Sequence, residues 1–245
     1  CSSDGGGDEE SARQSPSLGE EQAAEHAARL KRDEASAIPP IEEDALVASQ
    51  QAQLIASDKL AGDTLGISVA VDGNSAIVGA YASDTNGLNA GAAYIFTRSA
   101  GVWSQQAKLL ASDGAAGDLF GRSVAIRGDT VVVGAMSADT AAGADAGAAY
   151  VFVRNGNLWS QQAKLVGADA TPGDNAGRAV AIGVDTVVVG ASDHSDQGFM
   201  SGSAYVFVRN AGVWSQQAEL TASDAVASDY FGTAVSIEAD TVVVG

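Results

Sequence analysis

The chain repeats its own sequence with a period of 55 or 56 residues, and this repetition constrains the fold more than any single motif does. The glycine of an apolar-Gly pair marks each copy, at Gly66, Gly121, Gly177 and Gly232. A Val-Val-Val-Gly segment, an Ala-Tyr-Val-Phe segment and a Trp-Ser-Gln-Gln segment also recur with small changes. A fixed long period predicts one supersecondary unit copied in tandem.

Each copy predicts four β-strands, and the second copy illustrates them. Residues 121–126 form the first strand, and a tight turn at Gly128 and Asp129 leads to the second, Thr130-Val-Val-Val-Gly134. The second strand and the third, Ala148-Ala-Tyr-Val-Phe152, are continuously apolar, which indicates burial on both faces. The fourth strand, from Trp159, alternates apolar and polar residues, as a half-exposed outer strand does.

A four-stranded antiparallel sheet with doubly buried middle strands needs a similar sheet on each side, and this is the blade of a β-propeller. Solenoid coils have shorter periods of roughly 20–30 residues, and immunoglobulin-like sandwiches need about 100 residues per unit. We therefore predict an all-β propeller. Its blades are expected at about 66–110, 121–166 and 177–221, with a partial blade at 232–245.

The repeated motifs resemble the FG-GAP repeat of integrin α-subunits and their bacterial relatives over about residues 50–245. The resemblance rests on Phe120-Gly121, on Val131-Val-Val-Gly-Ala135, on Gly147-Ala-Ala-Tyr-Val-Phe152 and on their copies. It implies a propeller that usually has seven blades, whereas this chain holds about three and a half. We therefore expect a truncated sequence, in which residues Ser49 to Leu54 match a fourth strand and close the last blade as its outer strand.

The first 48 residues differ from the repeats. Cys1 is the only cysteine and stands first, which resembles a mature bacterial lipoprotein whose signal peptide has been removed; the alternative is an arbitrary fragment boundary. Residues 1–19 predict a flexible polar tether, and residues 20–35 predict an alanine-rich helix that Pro39 and Pro40 end. His26 is expected on the surface of that helix.

The charge of the chain limits its partners. The formal net charge of −18 disfavours nucleic acid and anionic lipid. No segment approaches the roughly 20 apolar residues that span a bilayer, so membrane contact is expected only through the lipid anchor. We expect an exported protein, anchored at the bacterial outer membrane or cell surface.

Integrin-type repeats often bind calcium between the first and second strands, and this chain departs from that pattern. Its connections there, such as residues 72–74 and 127–129, are too short and too poor in oxygen ligands for a cation that needs six to eight of them. Calcium is therefore not carried over to these turns.

A second acidic pattern is more regular: two aspartates, five residues apart, precede each blade. They are either weak cation ligands or acceptors for loop N–H groups that fix the crossover between blades, and their identity in every copy favours the second interpretation. The pairs are Asp58 and Asp63, Asp113 and Asp118, Asp169 and Asp174, and Asp224 and Asp229.

The loops between the second and third strands vary most, and variable loops on a repeated scaffold commonly carry binding specificity. They run from Tyr81 to Ala90, from Met136 to Ala146 and from Ala191 to Ser201. Within the last loop, Asp193-His-Ser-Asp196 could hold a metal, but one histidine and two carboxylates in such a loop are usually solvated. We predict a solvated segment there.

Two further patterns have structural interpretations. Arg127-Gly128-Asp129 spells the tripeptide that integrins recognise, but the equivalent turns in the other copies have different residues. We therefore predict an ordinary hairpin turn. The aromatic residues recur in register, which favours packing between blades over exposed carbohydrate-binding platforms. They are Trp103, Trp159 and Trp214, Tyr94, Tyr150 and Tyr205, and Phe96, Phe152 and Phe207.

The sequence shows no nucleophile elbow, phosphate loop or paired histidine–glutamate zinc motif, and its two histidines, His26 and His194, lie far apart. We therefore expect a non-catalytic protein that needs no cofactor. The expected function is a cell-surface propeller of binding or adhesion type that presents its variable loops to a protein or glycan. The alternative is an accessory or structural propeller domain of a larger exported protein or enzyme.

Overall fold

The computed structural model describes residues 50–245. The predicted lipidation site Cys1, the tether and the helix expected over residues 20–35 lie outside the described residues. Within the described part of the chain every regular element is a β-strand, which confirms the all-β prediction. No helix of this part is long and apolar enough to cross a membrane.

The strands of residues 50–245 form three four-stranded antiparallel sheets and one two-stranded sheet, one sheet for each copy of the repeat. The first contains β1 (Val69–Asp72), β2 (Ser75–Ala80), β3 (Ala92–Ser99) and β4 (Val102–Leu109). The second contains β5 (Phe120–Arg127), β6 (Thr130–Ala135), β7 (Ala148–Asn155) and β8 (Leu158–Leu165). The third contains β9 (Ala179–Ile182), β10 (Thr186–Ala191), β11 (Ser203–Asn210) and β12 (Val213–Leu220), and the fourth contains β13 (Val235–Glu238) and β14 (Thr241–Val244).

The arrangement of the sheets is that of propeller blades. Each four-stranded sheet keeps its strands in sequence order. The first strands of successive sheets lie against one another, β1 against β5, β5 against β9 and β9 against β13. The Phe-Gly segments are therefore innermost, and the Trp-Ser-Gln-Gln segments form the outer edge, as the sequence predicts.

The middle of the second blade shows why these residues form strands. Every residue of β6 is buried, and its valines suit a pleated surface that is covered on both faces. A two-residue turn joins β5 to β6, with Arg127 paired to Thr130. Gly128 in this turn has a φ of 57°, in the left-handed region that glycine enters readily. This confirms the predicted tight turn.

The core lies between blades rather than within one. Phe120 is fully buried and packs edge-on against Tyr150 and Phe152, with ring centroids 5.5 and 6.0 Å apart. Ile77 and Ile95 of the first blade share this cluster. Trp159 packs on its margin and donates a hydrogen bond from Nε1 to Gln106 Oε1 of the preceding blade, at 2.8 Å. The recurring aromatics thus pack between blades, in line with the preferred interpretation.

At the glycines of the motif, two blades touch through their backbones. A methyl group on Gly134, at the end of β6, would overlap the carbonyl oxygen of Gly177 in the next blade. The same overlap would occur between Gly79 and Gly121 and between Gly190 and Gly232. Since neither partner can carry a side chain there, the blade spacing depends on these glycine pairs.

The predicted outer strand at residues 49–54 is wrong in the described part of that segment. Residues 50–54 form no strand, because no strand of the described residues lies beside them to share backbone hydrogen bonds. Leu54 packs against the first blade, near Tyr94 and Trp103. The corresponding Leu109 packs against the second blade in the same manner. Residues 50–54 therefore pack as a fourth strand does but lack the backbone hydrogen bonds to a neighbouring strand.

We predict that Gly134→Ala lowers the free energy of unfolding by about 3 kcal/mol, because the added methyl group must push the Gly177 backbone away. Urea denaturation followed by tryptophan fluorescence measures this loss. The matched control is Gly128→Ala, where nothing lies within 4 Å of the added carbon. The fourth copy already has Ala239 at the equivalent turn position, with a φ of 52°.

The control substitution should destabilise the chain by only about 1 kcal/mol, the usual penalty for a left-handed alanine. Equal losses in the two variants would contradict the contact role assigned to the glycine pairs.

Candidate functional site

The variable loops and the connections between blades lie at the same end of the blades, because both follow an even-numbered strand of each antiparallel sheet. Backbone hydrogen bonds join them across the blade boundary. Phe120 N donates to Ala90 O at 3.0 Å, and the same bond recurs from Ala176 N to Ala146 O and from Phe231 N to Ser201 O. The next blade therefore holds the C-terminal end of each variable loop.

The middle of these loops faces solvent. Leu88 in the first loop is 69% exposed, and Phe199 in the third is 67% exposed. Apolar side chains at such exposure on a braced loop are available for contact with another molecule. The three loops that the sequence singled out thus share one end of the molecule and combine fixed ends with exposed centres.

The second aspartate of each pair has a structural role. Its carboxylate accepts a hydrogen bond from a backbone N–H three residues earlier, as Asp118 does from Ala115 at 2.8 Å. Asp63, Asp174 and Asp229 do the same with Leu60, Thr171 and Val226. These bonds tie the turn before each blade and correspond to the loop-fixing interpretation.

The first aspartate of each pair meets the fourth strand. Asp113 binds Lys164 Nζ at 2.7 Å and accepts a hydrogen bond from the Tyr150 hydroxyl at 2.9 Å. Asp58 binds Lys108 in the first blade, at 2.5 Å. Burial alone would raise the pKa of Asp113, but the hydrogen bonds from Lys164 and Tyr150 lower it below its usual value.

The third blade breaks this pattern, because Glu219 occupies the position of Lys108 and Lys164. Its carboxylate lies close to Asp169, the first aspartate of this blade, and to two residues of the variable loop, His194 and Asp196. One potential ligand atom from each of these four residues lies within 4.8 Å of the others. We call these four residues the third-blade cluster.

The prediction that the Asp193-His-Ser-Asp196 segment is solvated is wrong for its histidine. His194 is 1% exposed, since it takes the position that Ser83 and Ala138 occupy in the other blades, and both of those are buried. An alignment of the three loops could have revealed the burial of His194, because small residues occupy its position in the other two copies. Asp196, in contrast, is exposed, and its carboxylate forms the solvent side of the cluster.

Burial and mutual contact shift the protonation of the third-blade cluster. Burial raises the pKa of Glu219, and the nearby Asp169 raises it further, to about 7. Burial alone would lower the pKa of His194, but Asp174 and Asp196 raise it above its usual value. Burial likewise opposes ionisation of Asp169, yet Glu219 and Tyr205 lower its pKa. The cluster therefore retains protons near neutral pH, where the other blades use a lysine.

The opposite end of the blades is occupied by a repeated arginine contact. Arg154 stacks on Trp159, with 5.2 Å between the guanidinium carbon and the ring centroid, and binds Asp129 through Nε at 2.7 Å. The Arg127-Gly128-Asp129 carboxylate is therefore engaged within the blade. Arg98 with Trp103 and Arg209 with Trp214 repeat the stacking.

The turns where integrin-type repeats bind calcium do not fit that ion here. Only two residues separate the paired Asp72 and Ser75. The Asp72 carboxylate accepts a hydrogen bond from Gly128 N at 2.5 Å, and Asp185 is bound by Arg209. These oxygens serve other partners, and no turn of this kind in residues 50–245 gathers a set of six.

Tandem four-stranded blades, joined by glycine contacts and by bonds between their loops, define a repeat protein of the β-propeller class. Within that class the chain belongs to the FG-GAP repeat family, whose model matches residues 48–96, 103–152, 159–207 and 214–245.

No curated protein matches the chain. A solved structure, the crystal structure of the Saccharomyces cerevisiae Sqt1, is similar at a TM-score of 0.41 and 14% identity. The similarity covers 66% of this chain and 37% of that chain.

We predict that Tyr150→Phe lowers the free energy of unfolding by about 1 kcal/mol at pH 7, because it removes the hydrogen bond to ionised Asp113. Since the pKa of Asp113 is lowered in the folded state, this contribution is present above about pH 4 and is lost as the pH falls further. Urea denaturation at pH 7 and pH 3 measures both effects.

Tyr94→Phe is the matched control in the first blade, since the Tyr94 hydroxyl has no hydrogen-bond partner among the residues that the structure describes. It should leave stability at pH 7 unchanged or slightly higher. An equal loss in both variants would show that the hydroxyl bond to Asp113 does not stabilise the fold.

Proposed function

We propose that the chain is a non-catalytic binding module of adhesion type, in which the blades present the variable loops to a protein or glycan. The observation that carries this proposal is the construction of the loop end. Each loop has its C-terminal end held by the next blade, while its centre is exposed and differs from copy to copy. Such a surface is already ordered before a partner arrives, which reduces the entropy lost on binding.

The rest of the repeat supports the same role, because its residues are used for packing. The motif residues that recur in each copy fill the space between blades, as Phe120 and Tyr150 do. The arginines and tryptophans at the opposite end contact one another or the neighbouring blade. The loop end is therefore where the copies differ in chemistry, with Leu88 and Phe199 as exposed apolar anchors.

The proposed location of this module is the outer surface of a bacterial cell, with Cys1 as the lipidated residue. The support is in the sequence: Cys1 is the only cysteine, and a polar stretch that resembles a lipoprotein tether follows it. Several acyl chains on Cys1 would hold the protein firmly, since each buried methylene contributes about 0.8 kcal/mol.

The binding role predicts that replacing both loop anchors, Leu88→Ser and Phe199→Ser, weakens capture of the partner by about tenfold or more. The immobilised chain is probed with a glycan array and with a panel of extracellular proteins, and hits are titrated by surface plasmon resonance. The matched control, Leu158→Ser with Val213→Ser, removes equally exposed apolar side chains at the opposite end of the blades.

The control variant should bind as the unmodified chain does. A larger loss in the control than in the loop variant would move the binding surface to the hairpin end. Failure of the unmodified chain to bind any glycan or protein of the panel would count against the binding role.

The anchoring proposal predicts that Cys1→Ser shifts the protein from the membrane fraction to the soluble fraction when it is expressed behind a lipoprotein signal peptide. Ser3→Ala, which changes the tether and keeps the acylated residue, should remain in the membrane fraction. Membrane association of the Cys1→Ser protein would refute lipidation at this site.

A further inference from the structure

The third blade differs from the first two at three positions that converge on one point. Ser83 and Ala138 correspond to His194, Thr85 and Thr140 correspond to Asp196, and Lys108 and Lys164 correspond to Glu219. The first aspartate, Asp169, is kept. In the second blade the equivalent point is a lysine ammonium held by Asp113. In the third blade it is surrounded by one imidazole and three carboxylates.

The contact between Nδ1 and Asp174 fixes the orientation of the His194 ring. Its Nδ1 lies 2.9 Å from Asp174 Oδ2, and both side chains are only 2% exposed. Asp174 also accepts hydrogen bonds from the backbone N–H and the hydroxyl of Thr171, at 2.6 and 2.8 Å. Since Asp174 accepts these bonds, Nδ1 is the donor of the His194 contact, and Nε2 is directed into the third-blade cluster. A carboxylate that orients a histidine in this way is typical of metal sites.

The Nε2 atom lies beside two carboxylate oxygens. It lies 3.3 Å from Asp196 Oδ1 and 3.5 Å from Glu219 Oε1. Nε2 and Glu219 Oε1 are both buried, and neither has a hydrogen-bond partner in the part of the chain that the structure describes. Buried polar atoms need a partner, and here either a proton on Nε2 or a cation bound between these atoms supplies it.

The spacing of these atoms suits a tetrahedral metal ion. Two ligands bound at about 2.0–2.1 Å and separated by the tetrahedral angle lie about 3.3 Å apart. The distances from Nε2 to Asp196 and to Glu219 are close to that value. Asp169 supplies a fourth oxygen within the same 4.8 Å limit. Since Asp169 and Asp196 are exposed, an ion can enter from solvent.

We propose that His194, Asp196, Glu219 and Asp169 form a binding site for a divalent transition-metal ion of the zinc class. One imidazole nitrogen with three carboxylate oxygens is a set that zinc accepts, and the nitrogen ligand favours it over calcium or magnesium. The ion takes the position of the lysine ammonium in the other blades. It links the variable loop to β12 and to the connection that enters the blade.

The site is unrelated to the strand turns where integrin-type repeats bind calcium, and it does not depend on the proposed binding role. Its consequence is mechanical: metal binding would hold the third variable loop, which carries the exposed Phe199, in place. Removing the ion would release one constraint on that loop and leave the backbone hydrogen bonds of the blade in place.

The test uses the full purified chain, stripped of metal with a chelator and titrated with Zn²⁺ in competition with a chromophoric chelator. The reference variant is His194→Ala/Asp196→Thr/Glu219→Lys, which gives the third blade the residues of the second and should fold. Because Cys1 and His26 also can bind Zn²⁺, bound metal is counted as the difference between the unmodified chain and this variant.

The proposal expects one more bound Zn²⁺ in the unmodified chain than in the triple variant. It also expects a higher thermal midpoint of the unmodified chain in Zn²⁺ and visible absorption of tetrahedral Co²⁺ when that ion replaces zinc. Single changes at His194→Ala, Asp169→Asn or Glu219→Gln should weaken this site by more than about tenfold. Asp113→Asn, the matched change in the second blade, should leave the affinity unaltered.

Equal Zn²⁺ uptake by the unmodified chain and the triple variant would overturn the proposal, and the charge between the carboxylates would then come from a protonated His194. Equal weakening by Asp113→Asn and Asp169→Asn would also overturn it, because the binding would then reflect the acidic surface as a whole. Uptake of Ca²⁺ with the same affinity as Zn²⁺ would contradict the assigned class of metal.

Discussion

The contact between glycine backbones at the blade boundary is the constraint on which the rest of the structure depends. The end of each second strand meets the start of the next blade at Gly79 and Gly121, at Gly134 and Gly177, and at Gly190 and Gly232. Because a single methyl group at these points would collide with a carbonyl oxygen, the blades can approach this closely only with glycine here. This approach brings Phe120 into contact with the side chains of its own blade and of the preceding one.

The same close approach positions the functional end of the molecule. Directly beside the glycine contact, the backbone of Phe120 bonds to Ala90 and so fixes the end of a variable loop. The loops can then differ in sequence without loss of the blade geometry. The third loop shows how far this freedom extends, since it places a buried histidine where the other blades have serine or alanine.

The comparison of blades also shows a local exchange of charge. Lys108 and Lys164 each satisfy an aspartate that precedes their blade. Glu219 removes that cation from the third blade and adds a carboxylate beside Asp169. Two neighbouring carboxylates without a cation repel each other, and His194 brings an imidazole to them in this blade alone. The exchange is therefore a coordinated feature of one blade.

The amino-acid sequence by itself determined the strand pattern, the blade order and the family. Strand periodicity and turn glycines are local signals, and each copy of the repeat contains them at the same positions. The sequence could not determine which residues meet across a blade boundary. The tertiary structure decided that residues 50–54 form no strand, since a strand requires a neighbour that no local pattern can supply. It also decided that His194 is buried against Asp174 and Glu219, since these residues lie in separate segments that only the packing of the blade brings together.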